Sequence, residues 1–186
     1  MAAPYVKMFE VRAVSSRLPF DSGLEVSVAD TGRGTVIKRY NDPDDTMDYP
    51  DADSYFAGVG SDGYLDQFEK MRDNPDVFPA VIRWGFKPRP WVEMEKVDTE
   101  RAEREFAGMS KVGRDAGFDL TDFLGGYDSV SADEVRSVLS GAGMSEEFER
   151  FYDVTLRCRK IMGHHLDLHQ GNFGYDSAGD LKIFDY

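Results

Sequence analysis

Cysteine is nearly absent from this chain: Cys158 stands alone. No intramolecular disulfide can therefore staple the fold, and the usage fits a reducing cytosol. Cys158 falls on the apolar stripe of an expected helix, which makes it a core thiol rather than a reactive one. Positive charge is also short, with 22 lysines and arginines against 35 aspartates and glutamates, a formal net charge of −13. That balance repels nucleic acid and anionic membrane surfaces on average, so neither is expected as a partner. No apolar run approaches the roughly 18 residues of a membrane-spanning helix, and the N-terminus, MAAPYVKMFEVRAV, lacks the apolar core of a signal peptide. The expectation is a soluble, unprocessed protein. Internal repeats are missing too.

What is present suffices for a core, since 41% of the 186 residues are apolar. Leu24 to Ala29 and Thr35 to Tyr40 read as strands joined by the turn Asp30-Thr31-Gly32-Arg33-Gly34. The six aspartates between Asn41 and Asp53 read as a solvated loop. They lack the alternating ligands and central glycine of an EF-hand. Tyr64, Leu65, Phe68 and Met71 recur at helical spacing, and Asn74-Pro75 stops that helix. Ala80 to Phe86 and Trp91 to Val97 then form a second antiparallel pair across Lys87-Pro88-Arg89-Pro90.

From Asp98 the pattern turns helical. Asp98 caps a helix expected to run through about Lys111, and Ser131 with Glu134 makes a capping box for a short helix ended by Gly141. Ser145, Glu146 and Glu147 open a longer helix with Phe148, Phe151, Val154, Cys158 and Ile161 on one face, ended by Gly163. The class is α+β, with an antiparallel sheet and one helix in residues 1–97 and helices in residues 98–186.

The last two dozen residues hold the chemistry. His165-Leu166-Asp167-Leu168-His169-Gln170-Gly171-Asn172 is followed by a hairpin that turns at Asp176-Ser177-Ala178-Gly179, then by Lys182-Ile183-Phe184-Asp185-Tyr186. Phosphoryl transfer needs a carboxylate to take the proton of the attacking hydroxyl, and oxygen ligands that hold Mg²⁺ against the phosphates. Asp167, Asn172 and Asp185 supply those groups. A rival reading takes His164, His165, Asp167 and His169 as a zinc cluster. It leaves the hairpin with Asp185 unexplained, and the loop before it offers no further cysteine or histidine.

The arrangement resembles the protein-kinase-like superfamily, in which His-x-Asp is followed five residues later by Asn and, beyond a short hairpin, by a metal-binding Asp. Here Asn172 is five residues after Asp167, and Asp185 thirteen after Asn172. The Asp-Leu-His-x-Gly-Asn form is most similar to short serine/threonine protein kinases encoded by bacteriophages, and is similar also to the aminoglycoside and choline kinase branch. The resemblance implies a two-lobed fold, with residues 1–97 as the sheet-containing lobe and 98–186 as a truncated helical lobe. It implies Mg²⁺ and ATP as cofactors, Asp167 as catalytic base, and Asn172 and Asp185 on the metal. Lys38, ending the run Val36-Ile37-Lys38, would contact the α and β phosphates. Glu69, nine residues before Phe78 on the one helix of the first lobe, would pair with Lys38. Gly23 would lie in the loop over the phosphates, Met94 would face the adenine pocket, and the backbone from Glu95 to Val97 would meet the base. His165 would brace the loop, and His169 would stand where many kinases carry a residue that meets the transferred phosphate.

Departures from the family bear on function. The segment Asp21 to Val26 carries one glycine where the family has up to three, so the grip on nucleotide is expected to be weak or different. Tyr186 replaces the glycine after the metal-binding Asp. The family's activation segment and later helices would follow Tyr186, so the expectation is a minimal kinase, a natural truncation or a fragment. Apolar surface exposed in a shortened lobe would favour a homodimer or a partner. Two functions compete: a phosphotransferase acting on a protein or small-molecule hydroxyl in the cytoplasm, that of the host if the gene is a phage's, and a catalytically weak scaffold that binds and inhibits a host protein through its acidic surface.

Overall fold

The computed structural model describes residues 21–22, 26–40, 61–86, 90–163, 166 and 168–184, with the side chains of 21–22, 26–27 and 61–64 excepted. The expected acidic loop at 41–53 and the phosphate loop at Gly23 fall outside them.

The first half is a twisted antiparallel sheet with one helix. Strands β1 (Asp21–Ser22), β2 (Val26–Asp30), β3 (Thr35–Tyr40), β4 (Val81–Gly85) and β5 (Trp91–Glu95) are ordered β1-β2-β3-β5-β4. The two-residue β1 only extends the edge of a four-strand sheet. The β2–β3 turn forms because Asp30 Oδ1 accepts the Gly32 N–H at 2.8 Å and Gly32 and Gly34 take positive φ; glycine adopts that conformation at no steric cost. Helix α1 (Ser61–Asp73) lies on the sheet through Phe68 and Met71, and Tyr40, Trp84 and Phe86 ring Phe68 with centroids 5.9 to 6.4 Å away. Leu65, expected on this buried stripe, is exposed. The aromatic cluster fixes the helix by Phe68, and that rotation turns Leu65 outward.

The second half is helical. Asp98 caps α2 (Thr99–Ala116) by accepting the Arg101 N–H, and α2 buries Ala102, Phe106, Met109 and Gly113. It runs past the expected end at Lys111, because Gly113 leaves room for the Phe118 ring, whose edge would lie 2.7 Å from a Cβ there, and Gly117 closes the helix in the left-handed conformation. Helix α3 (Leu120–Gly125), capped by Asp119, has no counterpart in the sequence reading. Helix α4 (Ala132–Gly141) starts on the expected Ser131 bond to Glu134 N–H and ends at Gly141 as expected, with Gly143 in positive φ behind it. Helix α5 (Ser145–Met162) holds Ser145 as its first residue; Met144 occupies the cap position without a side-chain bond. Its stripe Phe148, Phe151, Val154 and Cys158 is buried as expected.

A short hairpin, β6 (Phe173–Tyr175) and β7 (Leu181–Ile183), follows the 3₁₀ turn Gln170–Asn172. Phe173 is wedged between Phe106 of α2 and Phe151 of α5, at 5.5 and 4.9 Å between ring centres. Burying aromatic rings this way stabilises by area and adds about 0.5–1.5 kcal/mol per pair through edge and offset geometry. The buried apolar residues form one continuous core from Phe68 to Ile183. Within the helical half Asp98 exchanges two backbone bonds with Tyr175, and three bonds sew the halves together: Ile183 N–H donates to Val77, Lys182 Nζ donates to Pro75 O at 2.8 Å, and Arg157 meets Asp76 at 2.7 Å. Among the described residues no helix is long and apolar enough to cross a membrane.

Candidate active site

Lys38 sits on β3 with its side chain on the core side, cross-strand from Val28 and Val92, and is 6% exposed. A buried ammonium requires polar partners. Its Nζ donates to the carbonyl of Phe184 at 3.3 Å and lies 5.3 Å from the Tyr40 ring centre. Phe184 is the residue before Asp185, and its own N–H donates to the carbonyl of Asn172 at 3.0 Å. The chain thus joins the strand of Lys38, the end of the hairpin and the 3₁₀ turn at one point. Asp167, Asp185 and Gly23 lie outside the described residues.

Asn172 is buried, and its Oδ1 accepts the His169 N–H, a short bond that identifies the oxygen of the amide because only an oxygen can accept there. One lone pair of that oxygen remains for another donor or a cation. His169 in turn uses Nδ1 to accept the Gly171 N–H at 3.0 Å. A neutral His169 therefore carries its hydrogen on Nε2 and presents a donor outward. These reciprocal bonds set the 3₁₀ turn. A buried ammonium on β3 and a buried amide oxygen on the 3₁₀ turn are thus linked through Phe184. His169 alone of the four residues in the zinc reading is described, and among the described residues no three histidines, cysteines or carboxylates cluster for a metal.

Glu69 does not pair with Lys38. It is exposed on α1, next in sequence to the buried Phe68, and its charge acts on Arg72. The same Phe68 cluster that turns Leu65 outward turns Glu69 away from the sheet, so the expected ion pair is absent among the described residues. Arg72 is held above its ordinary value chiefly by its hydrogen bond to Asp73.

Met94 is 2% exposed, between Val36 and Val81 on the neighbouring strands. Val28 on β2, 39% exposed, shares this face. Glu95 is committed through both backbone and side chain: its N–H donates to Ala80, and its Oε1 accepts from Ser177 N–H and Oγ–H at 3.2 and 2.7 Å. The Lys96 N–H goes to Gly34 and the Asp98 N–H to Tyr175, whereas Val97 makes no backbone hydrogen bond through its N–H among the described residues. The Val97 side chain presses on Gly174, where a Cβ would meet Cγ2 at 2.3 Å.

The sequence reading missed a cavity of about 390 Å³ on the helical side. Phe106, Ser110 and Arg114 of α2, Thr121 of α3, and His169 and Gln170 line it. The first three recur every four residues along one helix face, which was the available signal. No protein-family model, no curated protein and no solved structure matches the chain.

Proposed function

We propose that the chain is a Mg²⁺- and ATP-dependent phosphotransferase built on a two-lobed, protein-kinase-like plan, acting on a hydroxyl. The observation that carries this reading is the buried Lys38, whose ammonium reaches the carbonyl of Phe184 while Phe184 bonds Asn172. Two residues singled out for phosphate and metal chemistry, 134 positions apart in sequence (172 − 38 = 134), meet through the residue that precedes a third, Asp185.

In this reading Lys38 would orient the phosphates, Asn172 and Asp185 would hold Mg²⁺, and the Val97 N–H, without a backbone partner among the described residues, would be left for the adenine, with Met94 facing its pocket. The acceptor oxygen forms its bond to the γ-phosphorus as the bond to the β–γ bridging oxygen breaks. ADP leaves, and the hydroxyl proton passes to Asp167. The bound metal supplies neutralisation of the charge that develops on the phosphoryl oxygens. Positioning and electrostatics are what this chemistry asks of a protein.

The test is transfer of label from γ-labelled ATP with Mg²⁺ in a cell lysate, beside Asp167→Asn and Lys38→Met. Label in a protein or metabolite fraction that vanishes in both variants supports the reading. No label from folded wild-type protein sinks it. One observation favours a second reading, a scaffold that binds a host protein without turnover: Glu69 is exposed and away from Lys38. A scaffold keeps its partner in the Asp167→Asn variant, and an enzyme loses its effect.

A further inference from the structure

The cavity between α2, α3 and the 3₁₀ turn has an uneven chemistry. Its walls offer the Arg114 guanidinium, the Nε2–H of His169, the Gln170 amide and the hydroxyls of Ser110 and Thr121, and among the described residues no carboxylate lines it. That is unusual in a chain with a net charge of −13. Arg72, Arg83, Arg101, Arg104, Arg136, Arg150 and Arg157 each meet a carboxylate, whereas Arg114, like Arg33 and Arg159, meets none among the described residues. The nearest cap carboxylate, Asp119, is taken up by the N–H groups of Thr121 and Asp122.

Ser110 adds an independent observation. It is 8% exposed, lines the cavity, and its Oγ has no hydrogen-bond partner among the described residues. A buried hydroxyl left unpaired costs on the order of a lost hydrogen bond, so such groups in native folds call for an explanation. A ligand atom in the cavity would satisfy it. Phe106 supplies an apolar floor, and the volume of about 390 Å³ lies in the range of small-molecule sites.

We infer that this cavity binds the phosphoryl acceptor, and that the acceptor is a small hydroxyl compound carrying an anionic group, carboxylate or phosphate, held by Arg114 and hydrogen-bonded by Ser110 and His169. The inference rests on the phosphotransferase reading for the word acceptor, because His169 stands two residues after Asp167 in sequence. Anion selectivity rests on the cavity alone.

The experiment separates the two. Amide resonances of Ala107, Ser110 and Thr121 are followed by NMR while the full chain is titrated with glycerol 3-phosphate, D-glycerate, glycerol and choline, without nucleotide. The expected result is saturable shifts with either anion, none with glycerol or choline, and affinity lowered at least about tenfold in Arg114→Gln, as for loss of a charge-assisted hydrogen bond. A response to phosphate but not carboxylate, or the reverse, supports the pocket and tells the two anion sources apart. Equal shifts with glycerol or choline, an unchanged Arg114→Gln, or no shift with any of the four overturns the inference. Label transfer from ATP to an acidic serine peptide with the Arg114→Gln variant unimpaired also overturns it, while leaving the phosphotransferase reading intact. Anion binding in a protein that transfers no label sinks that reading and keeps the anion pocket.

Discussion

Tyr175 on β6 donates its phenolic hydrogen to the carboxylate of Glu105, 70 positions away on α2. Arg150 of α5 donates to the same hydroxyl at 3.2 Å, and the Arg101 guanidinium lies over the ring at 3.8 Å. One aromatic residue thus ties both long helices to the hairpin that bears Asn172 at its entrance.

This network predicts a pH dependence. Burial raises the pKa of Glu105, but hydrogen bonds from Tyr175 and Arg101 and the charges of Arg101 and Arg150 outweigh it and leave the carboxyl below its ordinary value. A group whose folded pKa is depressed contributes stability above its unfolded pKa, about 4.3 for glutamate, and loses it as pH falls through the folded value. At neutral pH Glu105→Gln is therefore less stable than wild type, and urea denaturation should show the gap closing as pH drops below about 4.3. A gap that stays constant with pH excludes the carboxylate as its source. Tyr175→Phe should cost about 1–2 kcal/mol at neutral pH with an unchanged m-value.

A second bond network anchors the sheet half to the hairpin. Lys182 is 4% exposed, and its ammonium lies 2.8 Å from the Pro75 carbonyl and 3.2 Å from Asp176. Burial pushes the Asp176 carboxyl up, while the backbone N–H of Asp180, then Lys182 and the backbone N–H of Ala178, pull it down to a net depression. Removing one partner of a buried pair strands the other, so Lys182→Met should destabilise by about 3 kcal/mol. The double variant with Asp176→Asn should lose less than the sum of the singles. Strict additivity in denaturant titrations means that the two groups do not interact.

Gly174 predicts a contact test between the halves. A Cβ there would come within 2.3 Å of Val97 Cγ2, too close for either backbone to hold. Gly174→Ala should cost about 1–3 kcal/mol as an overpacked site, and Val97→Ala in the same chain should recover part of it. The readout is the thermal midpoint of each single variant and of the pair. If the second substitution only adds to the loss, the clash lies elsewhere.

Local signals carried most of the fold. The turn at Asp30 to Gly34, the caps at Asp98 and Ser131, and the stripe from Phe148 to Cys158 act over a few residues, so sequence alone locates them. Helix α3 is under two turns long, too short for periodicity to register, and only the Asp119 cap and Gly126 mark it. The direction in which Glu69 faces was hidden for a different reason. The residue's position on a helix is local, but which way it faces is decided by Tyr40, Trp84 and Phe86 around Phe68, residues on β3, on β4 and just past the end of β4. The cavity is less legible still, since Arg114 and His169 come together only through packing of α2 on the 3₁₀ turn. The intervals from Asp167 to Asn172 and from Asn172 to Asp185 are legible as a motif because a short turn and one hairpin set them, but Asp167 and Asp185 lie outside the described residues.

At Cys158 sequence and structure make the same chemical statement. Burial in the α5 stripe, with no exposed surface, raises its thiol pKa to about 12. Reactivity belongs to the thiolate, so at pH 8 the folded protein holds almost none and offers no path to it. Ellman's reagent should therefore label native protein only at the rate of unfolding, and label it at once in denaturant. Adding a ligand that binds the folded state should slow the native reaction by the factor by which it stabilises that state, provided opening is in fast equilibrium. Prompt labelling of native protein would mean that α5 opens locally, without global unfolding. Cys158→Ala removes one buried sulfur and should cost about 1–2 kcal/mol through the cavity it leaves, whereas Cys158→Ser buries a hydroxyl and should cost more.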